Sequence, residues 1–260
     1  MLSDADRNKA ADILMEAHKT KKQATQLSTT YPGITIEDAY AISTIVHKRM
    51  VAAGRKLIGH KVGLTSKAMQ RSSNIDEPDF GYLHDDMIVP DGAKLPHSNF
   101  CRPRIEVELA FVLGKRLKGP GIGLPEVLRA TEYVVPAIEI VDARLQDPRK
   151  IFDTVADNGA AAGIVIGGRP VGPMDIDLRW VGGIMYKNSE IEETGVAAGV
   201  LGHPAMGVAW LANKVGSMGT PLEPGHVVLA GSFTRVVFAA KGDTVHGDFG
   251  ALGSIAVQFV

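Results

Sequence analysis

Cysteine is nearly absent from this sequence of 260 residues, which contains only Cys101. A single cysteine excludes an internal disulfide and any zinc site built from several cysteines, and it fits a reducing compartment. Long apolar runs are absent too, because Gly, Pro and charged residues interrupt each one before the roughly 20 residues that a bilayer span requires. The N-terminus has no apolar signal-peptide core. We therefore expect a cytoplasmic protein that has no membrane partner.

An excess of either charge is also lacking. The sequence has 28 Lys and Arg residues against 29 Asp and Glu residues, and no run of like charge builds a basic surface. Nucleic acid is therefore excluded as an expected partner. Glycine-rich nucleotide motifs are missing as well, because Gly114 to Gly123 has neither the Lys-Ser/Thr ending of a P-loop nor dinucleotide-fingerprint spacing.

Two amphipathic helices are predicted within residues 1–55. The first covers about Asp4 to Lys22, where apolar residues recur at helical spacing. The second begins at Thr35, which forms a capping-box pattern with Asp38, and ends before Gly54. We interpret residues 1–55 as an N-terminal helical portion.

From residue 56 onward, short apolar runs bounded by Gly, Pro and Asp favour strands. Every second residue from Ile105 to Leu113 is a large apolar one, so these side chains share one strand face, and residues 133–141 are almost continuously apolar. Residues 204–215 carry one apolar face at helical spacing and are predicted as a helix. The chain is thus expected to have an α+β fold in which residues 56–260 form one β-rich unit.

Three glutamates are the candidate metal ligands. Glu106 and Glu108 lie two apart on a predicted strand, so both project from one face with Cα atoms about 7 Å apart. On their own they are typical of a solvated strand face. Glu139, however, lies inside the apolar run of residues 134–141, where an unpaired carboxylate is costly. A cation between three converging carboxylates would relieve their repulsion, and oxygen-only ligands favour Mg²⁺ or Mn²⁺.

Three further segments carry polar groups that admit two readings. The glycine-flanked segment at residues 59–67 contains two lysines and two hydroxyls, yet such turns are usually solvated. Asp79 follows a proline, which is common turn chemistry. The turn at residues 231–234 offers N–H groups and hydroxyls to an anion, or simply connects two strands.

Several motifs together resemble the hydratase/decarboxylase family of the fumarylacetoacetate hydrolase superfamily. They run in order along almost the whole chain, which makes the match far more specific than any one motif. They are GHKVGLTSKAMQ (residues 59–70), EPDFGYL (77–83), PRIEVELAFVL (103–113), PAIEIVDAR (136–144), DTVADN (153–158), GVAAGVLGHPAMGVAWLANK (195–214) and GSFTR (231–235). One departure is that Gly159-Ala160-Ala161-Ala162 follows the Asp-Asn pair, where some relatives have a serine.

This resemblance implies a mixed β-roll or barrel core of the fumarylacetoacetate hydrolase C-terminal-domain type, with flanking helices. It implies that Glu106, Glu108 and Glu139 hold Mg²⁺ or Mn²⁺, that Lys61 lies beside the substrate's 2-oxo acid end, and that Asp79 is a pocket acid with a catalytic role. It also implies a homo-oligomer, with a ring-based decamer as one form. The expected substrate-binding residues are His60, Leu64, Thr65, Ser66, Lys67, Asn158, Ser232, Phe233, Thr234 and Arg235.

The activity implied is that of a hydro-lyase which adds water to a small 2-oxo dicarboxylate of seven carbons in aromatic catabolism. Decarboxylation of a 2-oxo-3-enedioate and hydration of the shorter 2-hydroxypenta-2,4-dienoate are the alternatives within the family. Hydrolysis of a C–C bond in an acylpyruvate, and a non-catalytic metal-stabilised scaffold, stand outside it. The distal carboxylate of a dioate needs a basic partner, for which Arg235, Lys67 and Arg71 are candidates.

Overall fold

Seven α-helices are present in the computed structural model, which describes residues 1–72 and 75–260. They are α1 (Asp4–Thr20), α2 (Leu27–Thr30), α3 (Ile36–Ala52), α4 (Lys67–Ser72), α5 (Leu124–Ala130), α6 (Ile151–Ala156) and α7 (Ala205–Ser217). Ser3 caps α1 by accepting from the Asp6 N–H, and Thr35 and Asp38 form the predicted capping box of α3. No helix in the described part of the chain is long and apolar enough to cross a membrane.

Thirteen strands are found in the same described part of the chain. They are β1 (Leu57–Gly63), β2 (Asp79–His84), β3 (Ile88–Val89), β4 (Ala93–Leu95), β5 (Pro103–Leu113), β6 (Thr131–Asp142), β7 (Ala161–Ile166), β8 (Gly182–Lys187), β9 (Glu190–Val196), β10 (Val227–Leu229), β11 (Val237–Phe238), β12 (Thr244–Asp248) and β13 (Ser254–Phe259).

The larger sheet has the order β2-β1-β10-β5-β6-β7-β3, and β11 pairs with the beginning of β5. It contains both parallel and antiparallel pairs: β1 runs parallel to β10, whereas β5 is antiparallel to β6. Although four strands separate β2 from β7 in this order, the two strands contact each other, so the sheet curls towards a barrel. The predicted α+β class with a mixed β-roll or barrel core is confirmed.

The two faces of this curled sheet differ in composition. Residues paired across strands share a face, and the register places Glu106 opposite Glu139 on the inner face. Small and medium apolar side chains fill the rest of that face, including Ala110, Ala137 and Leu229. The outer face carries the main core residues of β5 and β6: Ile105, Val107, Leu109, Phe111, Ile138 and Ile140. The strands therefore separate a mixed charged and apolar inner face from an outer face that is mainly apolar along β5 and β6.

The outer face is covered by the second sheet and by the N-terminal helices. The second sheet has the order β4-β13-β12-β8-β9, and Gly247 on β12 lies close to Val107 and Ile138. On α3, the ring of Tyr40 stacks on Phe80 with 5.0 Å between ring centroids. Further along α3, the His47 Nδ1 atom lies 3.0 Å from Nε2 of His84 on β2. These contacts fix β2, the strand that carries Asp79.

Candidate active site

Three glutamates meet on the inner face of the curled sheet. Glu106 and Glu108 lie on β5, and Glu139 lies on β6 directly opposite Glu106. One carboxylate oxygen from each residue lies within 4.8 Å of the other two. Glu108 and Glu139 have no solvent exposure. The strand register, rather than any local turn, therefore brings these three carboxylates together.

The electrostatics of this cluster fit a divalent cation. Burial raises the pKa of Glu108 well above its usual range, and the charges of Glu139 and Glu106 add to this effect. Burial likewise raises the pKa of Glu139. Within residues 1–72 and 75–260, no group hydrogen-bonds either carboxylate oxygen of Glu139 or Oε1 of Glu108, although Lys61 Nζ forms a longer ion pair with Glu139 Oε1. Buried oxygens without donors are expensive, and the oxygen-only set matches the ligands that Mg²⁺ and Mn²⁺ prefer.

The remaining oxygen of Glu108 is held by the turn that follows β10. The N–H of Gly231 donates to Glu108 Oε2 at 2.9 Å. Gly231 has a φ of 118°, and a Cβ atom at this position would collide with the side chain of Thr65. Only glycine fits both requirements. The turn after β10 and the turn after β1 therefore pack against each other beside the glutamates.

Lys61 projects from β1 towards the glutamates. Its Nζ atom lies 3.4 Å from Glu139 Oε1, and its side chain is 5% exposed. Burial opposes the charged ammonium, but the carboxylates, led by Glu139 and Asp79, outweigh it and raise the pKa of Lys61. Lys61 is therefore a permanent positive charge at the edge of a negative cluster.

Glycines form the walls around the Lys61 side chain. A Cβ atom at Gly63 would lie 3.1 Å from Lys61 Nζ, and one at Gly159 would lie 3.1 Å from its Cδ. At Gly81 a Cβ atom would lie 3.3 Å from Lys61 Cγ and would collide with the Asn158 carbonyl oxygen. Side chains larger than hydrogen at these positions would displace the lysine.

Asp79 shares the inner face with Lys61. It pairs with Gly63 across β1 and β2, and a Cβ atom at Gly63 would collide with Asp79 Oδ1. Burial raises the pKa of this carboxyl group, while the charge of Lys61 opposes the rise. Oδ1 has no hydrogen-bond partner in the described part of the chain. Asp79 is thus a buried carboxyl group with an unused oxygen, which suits proton transfer.

Among the predicted substrate-binding residues, His60 does not join this cluster. Side chains alternate along a strand, so His60 points to the face opposite Lys61. There it is fully buried against Phe80, Tyr82 and His226. The structure therefore places His60 in the packing behind β1.

In the turn after β1, Thr65 packs against Gly231, the residue that hydrogen-bonds to Glu108. Thr65 is buried, and Leu64 has a left-handed backbone with a φ of 56°. Gln70 organises the turn, because its side chain donates to the Leu64 carbonyl at 2.8 Å and accepts from Lys67 Nζ at 2.8 Å. The Gln70 N–H donates to the Ser66 carbonyl oxygen.

The side chain of Asn158 hydrogen-bonds to the backbone of β2. Its side-chain amide donates to the Tyr82 carbonyl at 2.9 Å and accepts from the Tyr82 N–H at 2.7 Å. This pair of bonds ties the segment after α6 to β2 and presses Gly159 against Lys61. The side chain of Asn158 is therefore committed to backbone groups.

Arg144 supports the same segment. It is buried, and its side chain donates to Asp157 Oδ1 at 2.6 Å, to the Asp157 carbonyl at 2.6 Å and to the Ala161 carbonyl at 2.9 Å. Sequence reasoning did not select Arg144, although its pairing with Asp157 joins two of the quoted motifs.

In the turn after β10, Ser232 contacts β5, and Phe233 contacts the segment between β12 and β13. Ser232 Oγ donates to the Val107 carbonyl at 3.2 Å, and to the Thr234 carbonyl at 3.0 Å. Phe233 packs against Phe249 with 6.2 Å between ring centroids. Arg235 is 82% exposed and pairs with Glu193 at 2.7 Å. Arg235 thus points away from the glutamates.

Comparison with known proteins agrees with this architecture. The profile of the fumarylacetoacetate (FAA) hydrolase C-terminal family matches residues 49–260. The chain therefore belongs to that family.

Curated relatives and a solved structure match over the full length of the chain. The chain is 55% identical over 257 residues to the 2-oxo-hept-4-ene-1,7-dioate hydratase of Escherichia coli, covering 96% of each protein. It is 42% identical to the 2-hydroxyhexa-2,4-dienoate hydratase of Comamonas testosteroni, covering 95% of this chain and 94% of that protein. Its fold superposes with a TM-score of 0.97 and 33% identity on 4-oxalocrotonate decarboxylase from Pseudomonas putida G7 complexed with magnesium and adipate, covering 100% of this chain and 99% of that one.

Proposed function

We propose that this chain is a divalent-metal-dependent hydratase of 2-oxohept-4-ene-1,7-dioate, which it takes in the 2-hydroxyhepta-2,4-dienedioate form and converts into 4-hydroxy-2-oxoheptanedioate. The observation that carries the proposal is the buried cluster of Glu106, Glu108 and Glu139 beside the charged Lys61. The 55% identity to a hydratase of the seven-carbon 2-oxo-alkenedioate supports the choice of substrate.

Glu106, Glu108 and Glu139 would hold the cation, and Mg²⁺ or Mn²⁺ suits their oxygen-only set. When bound, such a cation supplies Lewis-acid chemistry at the 2-oxo acid end of the substrate. The 33% identical decarboxylase of known structure was complexed with magnesium, which supports Mg²⁺.

Lys61 supplies a second positive charge at the same end. Its ammonium is held by the surrounding carboxylates and cannot move far, because glycines pack closely around its stem. A fixed charge beside the 2-oxo oxygen stabilises the negative charge that develops there as the double bond reacts. Lys61 would therefore act in the transition state more than in binding.

Asp79 is the proposed proton carrier. The overall reaction first places a proton on C5 of the dienol, which moves the double bond into conjugation with the 2-oxo group. Water then adds its oxygen at C4, and a proton goes to C3. Burial raises the pKa of Asp79, which favours its protonated form and lets it give and regain a proton.

Leu64, Thr65, Ser66 and Lys67 are proposed to line the substrate pocket with the turn at residues 231–234. A homo-oligomer and the division into residues 1–55 and 56–260 stay predictions.

The alternative function is decarboxylation of a 2-oxo-3-enedioate. A 4-oxalocrotonate decarboxylase that is 33% identical superposes with a TM-score of 0.97, so the same strands and inner face would serve both reactions.

Product analysis by NMR separates the two functions. The Mg²⁺-loaded protein would be mixed with 2-hydroxyhepta-2,4-dienedioate and, in parallel, with 2-oxohex-3-enedioate. Formation of 4-hydroxy-2-oxoheptanedioate is expected. Release of CO₂ from the second compound alone, with no hydration of the first, would make the protein a decarboxylase.

A further inference from the structure

Near the beginning of β5, three arginines pair with a single carboxylate, that of Asp147. The guanidinium groups of Arg102, Arg104 and Arg149 lie 3.1, 3.2 and 3.1 Å from the carboxylate of Asp147. Three positive charges against one negative charge leave these four groups with a net charge of +2. Such a cluster attracts a further anion.

Arg104 is the member of this cluster that faces the glutamates. It lies two residues before Glu106 on β5, so the strand directs both side chains to the inner face, with Cα atoms about 7 Å apart. Its side chain is 14% exposed, against 51% for Arg102. Residues Arg104, Glu106 and Glu108 therefore form a row that runs from the mouth of the curled sheet into its interior.

Arg104 also has an unused hydrogen-bond donor. Its Nε atom is withdrawn from solvent, yet it has no partner in the two described ranges of the chain. One face of the guanidinium lies over the ring of Phe238, 4.8 Å from its centroid. A buried N–H without an acceptor is unfavourable, and a carboxylate is the acceptor that a guanidinium binds best.

The distance from the glutamates suits a dicarboxylate. A seven-carbon diacid spans roughly 7 Å between its two terminal carbons, given ordinary C–C bond lengths. With its 2-oxo acid end near Glu106 and Glu139, its other end reaches towards the neighbouring inner-face position, which is Arg104. The three basic residues considered from sequence are less suitable: Arg235 is 82% exposed, Lys67 Nζ donates to Gln70, and Arg71 is exposed.

We infer that Arg104 binds the second carboxylate of the substrate and thereby sets a preference for dioates over monoacids. This inference rests on the proposed function, because a 2-oxo dicarboxylate is the molecule that would join the two sites. In the free protein Asp147 pairs with the same guanidinium, so it would compete with the substrate carboxylate for Arg104.

Calorimetric binding tests the inference without turnover. The Mg²⁺-loaded protein would be titrated with 2-oxoheptanedioate and with 2-oxohexanoate, which has the same chain without the second carboxylate. We expect the wild type to prefer the diacid by about 10- to 100-fold, the range of a charge-assisted hydrogen bond. Arg104→Met should remove most of this preference, and Arg104→Lys should keep part of it.

Two further variants sharpen the result. Arg102→Met is the matched control, because Arg102 contacts the same Asp147 and Phe238 but is half exposed; it should retain the preference. Asp147→Asn removes the competing carboxylate and should increase the preference for the diacid.

The inference is overturned by a wild type that does not favour the diacid, by an Arg104→Met variant that still does, or by a weaker preference in Asp147→Asn. Because none of these readouts requires catalysis, failure of the inference is distinguishable from failure of the hydratase proposal, which product analysis decides.

Discussion

Glu139 has no solvent exposure, and its two carboxylate oxygens lack hydrogen-bond partners in the described residues. An amide has almost the same size but is a much weaker ligand for a hard cation. Glu139→Gln is therefore expected to lower Mg²⁺ affinity by about 100-fold or more, since even outer-shell partners cost 10- to 100-fold. Calorimetric titration with Mg²⁺ measures this, and thermal unfolding without metal should show an intact fold.

The same strand offers a control. Glu132 lies on β6 but is exposed, so Glu132→Gln should leave Mg²⁺ affinity unchanged. Unchanged Mg²⁺ affinity or full activity in Glu139→Gln would refute the metal assignment.

Lys61 is expected to matter more for turnover than for metal binding. Removing a fixed positive charge beside the reacting oxygen should lower kcat by about 100-fold or more, as loss of one preorganised electrostatic group does elsewhere. Metal affinity should hold or rise in Lys61→Met, because a cation repels the neighbouring ammonium. Steady-state kinetics and Mg²⁺ titration of the same protein measure both quantities.

Lys56→Met, at an exposed position just before β1, is the matched control for Lys61. A collapse of metal affinity in Lys61→Met, with kcat unaffected at saturating metal, would instead assign Lys61 to assembling the carboxylates.

At the scale of elements, the segment between α6 and β7 depends on Arg144. Its guanidinium holds Asp157, and both groups are buried, so removal of one leaves the other charge unpaired. Arg144→Met should therefore lower the free energy of unfolding by about 3–5 kcal/mol. Urea unfolding measures this loss.

Replacing both partners tests the physical reason for that loss. The double variant Arg144→Met, Asp157→Leu has no unpaired charge and should regain part of the stability. If the double variant were less stable than Arg144→Met alone, the packing of these side chains, rather than their charges, would hold the segment.

The elements nearest the glutamates are also those that local patterns predicted well. Residues 104–113 and 133–141 alternate or run apolar, and the structure has β5 and β6 at Pro103–Leu113 and Thr131–Asp142. Strands β1 to β4 and β7 to β9 were not individually predicted, because glycines and polar residues interrupt their patterns. Asp79 begins a buried strand where its neighbouring proline indicated a turn.

Other features of the site could not be predicted from local sequence patterns, because they depend on contacts between residues far apart in the chain. The glutamates could be selected because Glu139 is conspicuous within its own apolar run. Arg104 was not selected, because its proposed role depends on Asp147, which reaches it only through tertiary structure. A signal was present nonetheless: Arg104 precedes Glu106 by two residues and so shares its face.

The free energy of unfolding of the whole molecule should depend on pH, because six of its eight histidines have lowered pKa values. Burial lowers the pKa of His84 to about 4 from the ordinary 6.5. Between these values the unfolded chain binds a proton that the folded chain does not. The stability contributed by neutral His84 is therefore fully present above pH 6.5 and is lost as the pH falls towards 4.

A comparison of two proteins isolates this effect. The His84→Leu variant should lose less unfolding free energy than the wild type between pH 7 and pH 4.5, by on the order of 2 kcal/mol. Urea unfolding at both pH values measures it, and the carboxylates cancel in the difference. Equal losses would mean that His84 titrates normally in the folded protein.

The pairing of Glu106 with Glu139 across β5 and β6 also bears on how the chain reaches its fold. If β5 shifted by one residue, Glu106 and Glu108 would point into the apolar core on the outer face of the sheet. Val107 would then point to the charged inner face. Such a misaligned sheet would bury two carboxylates with neither solvent nor a counter-charge. The charged side chains on β5 therefore disfavour a sheet that is out of register by one residue. The residues proposed for metal binding thus also help to specify the strand alignment.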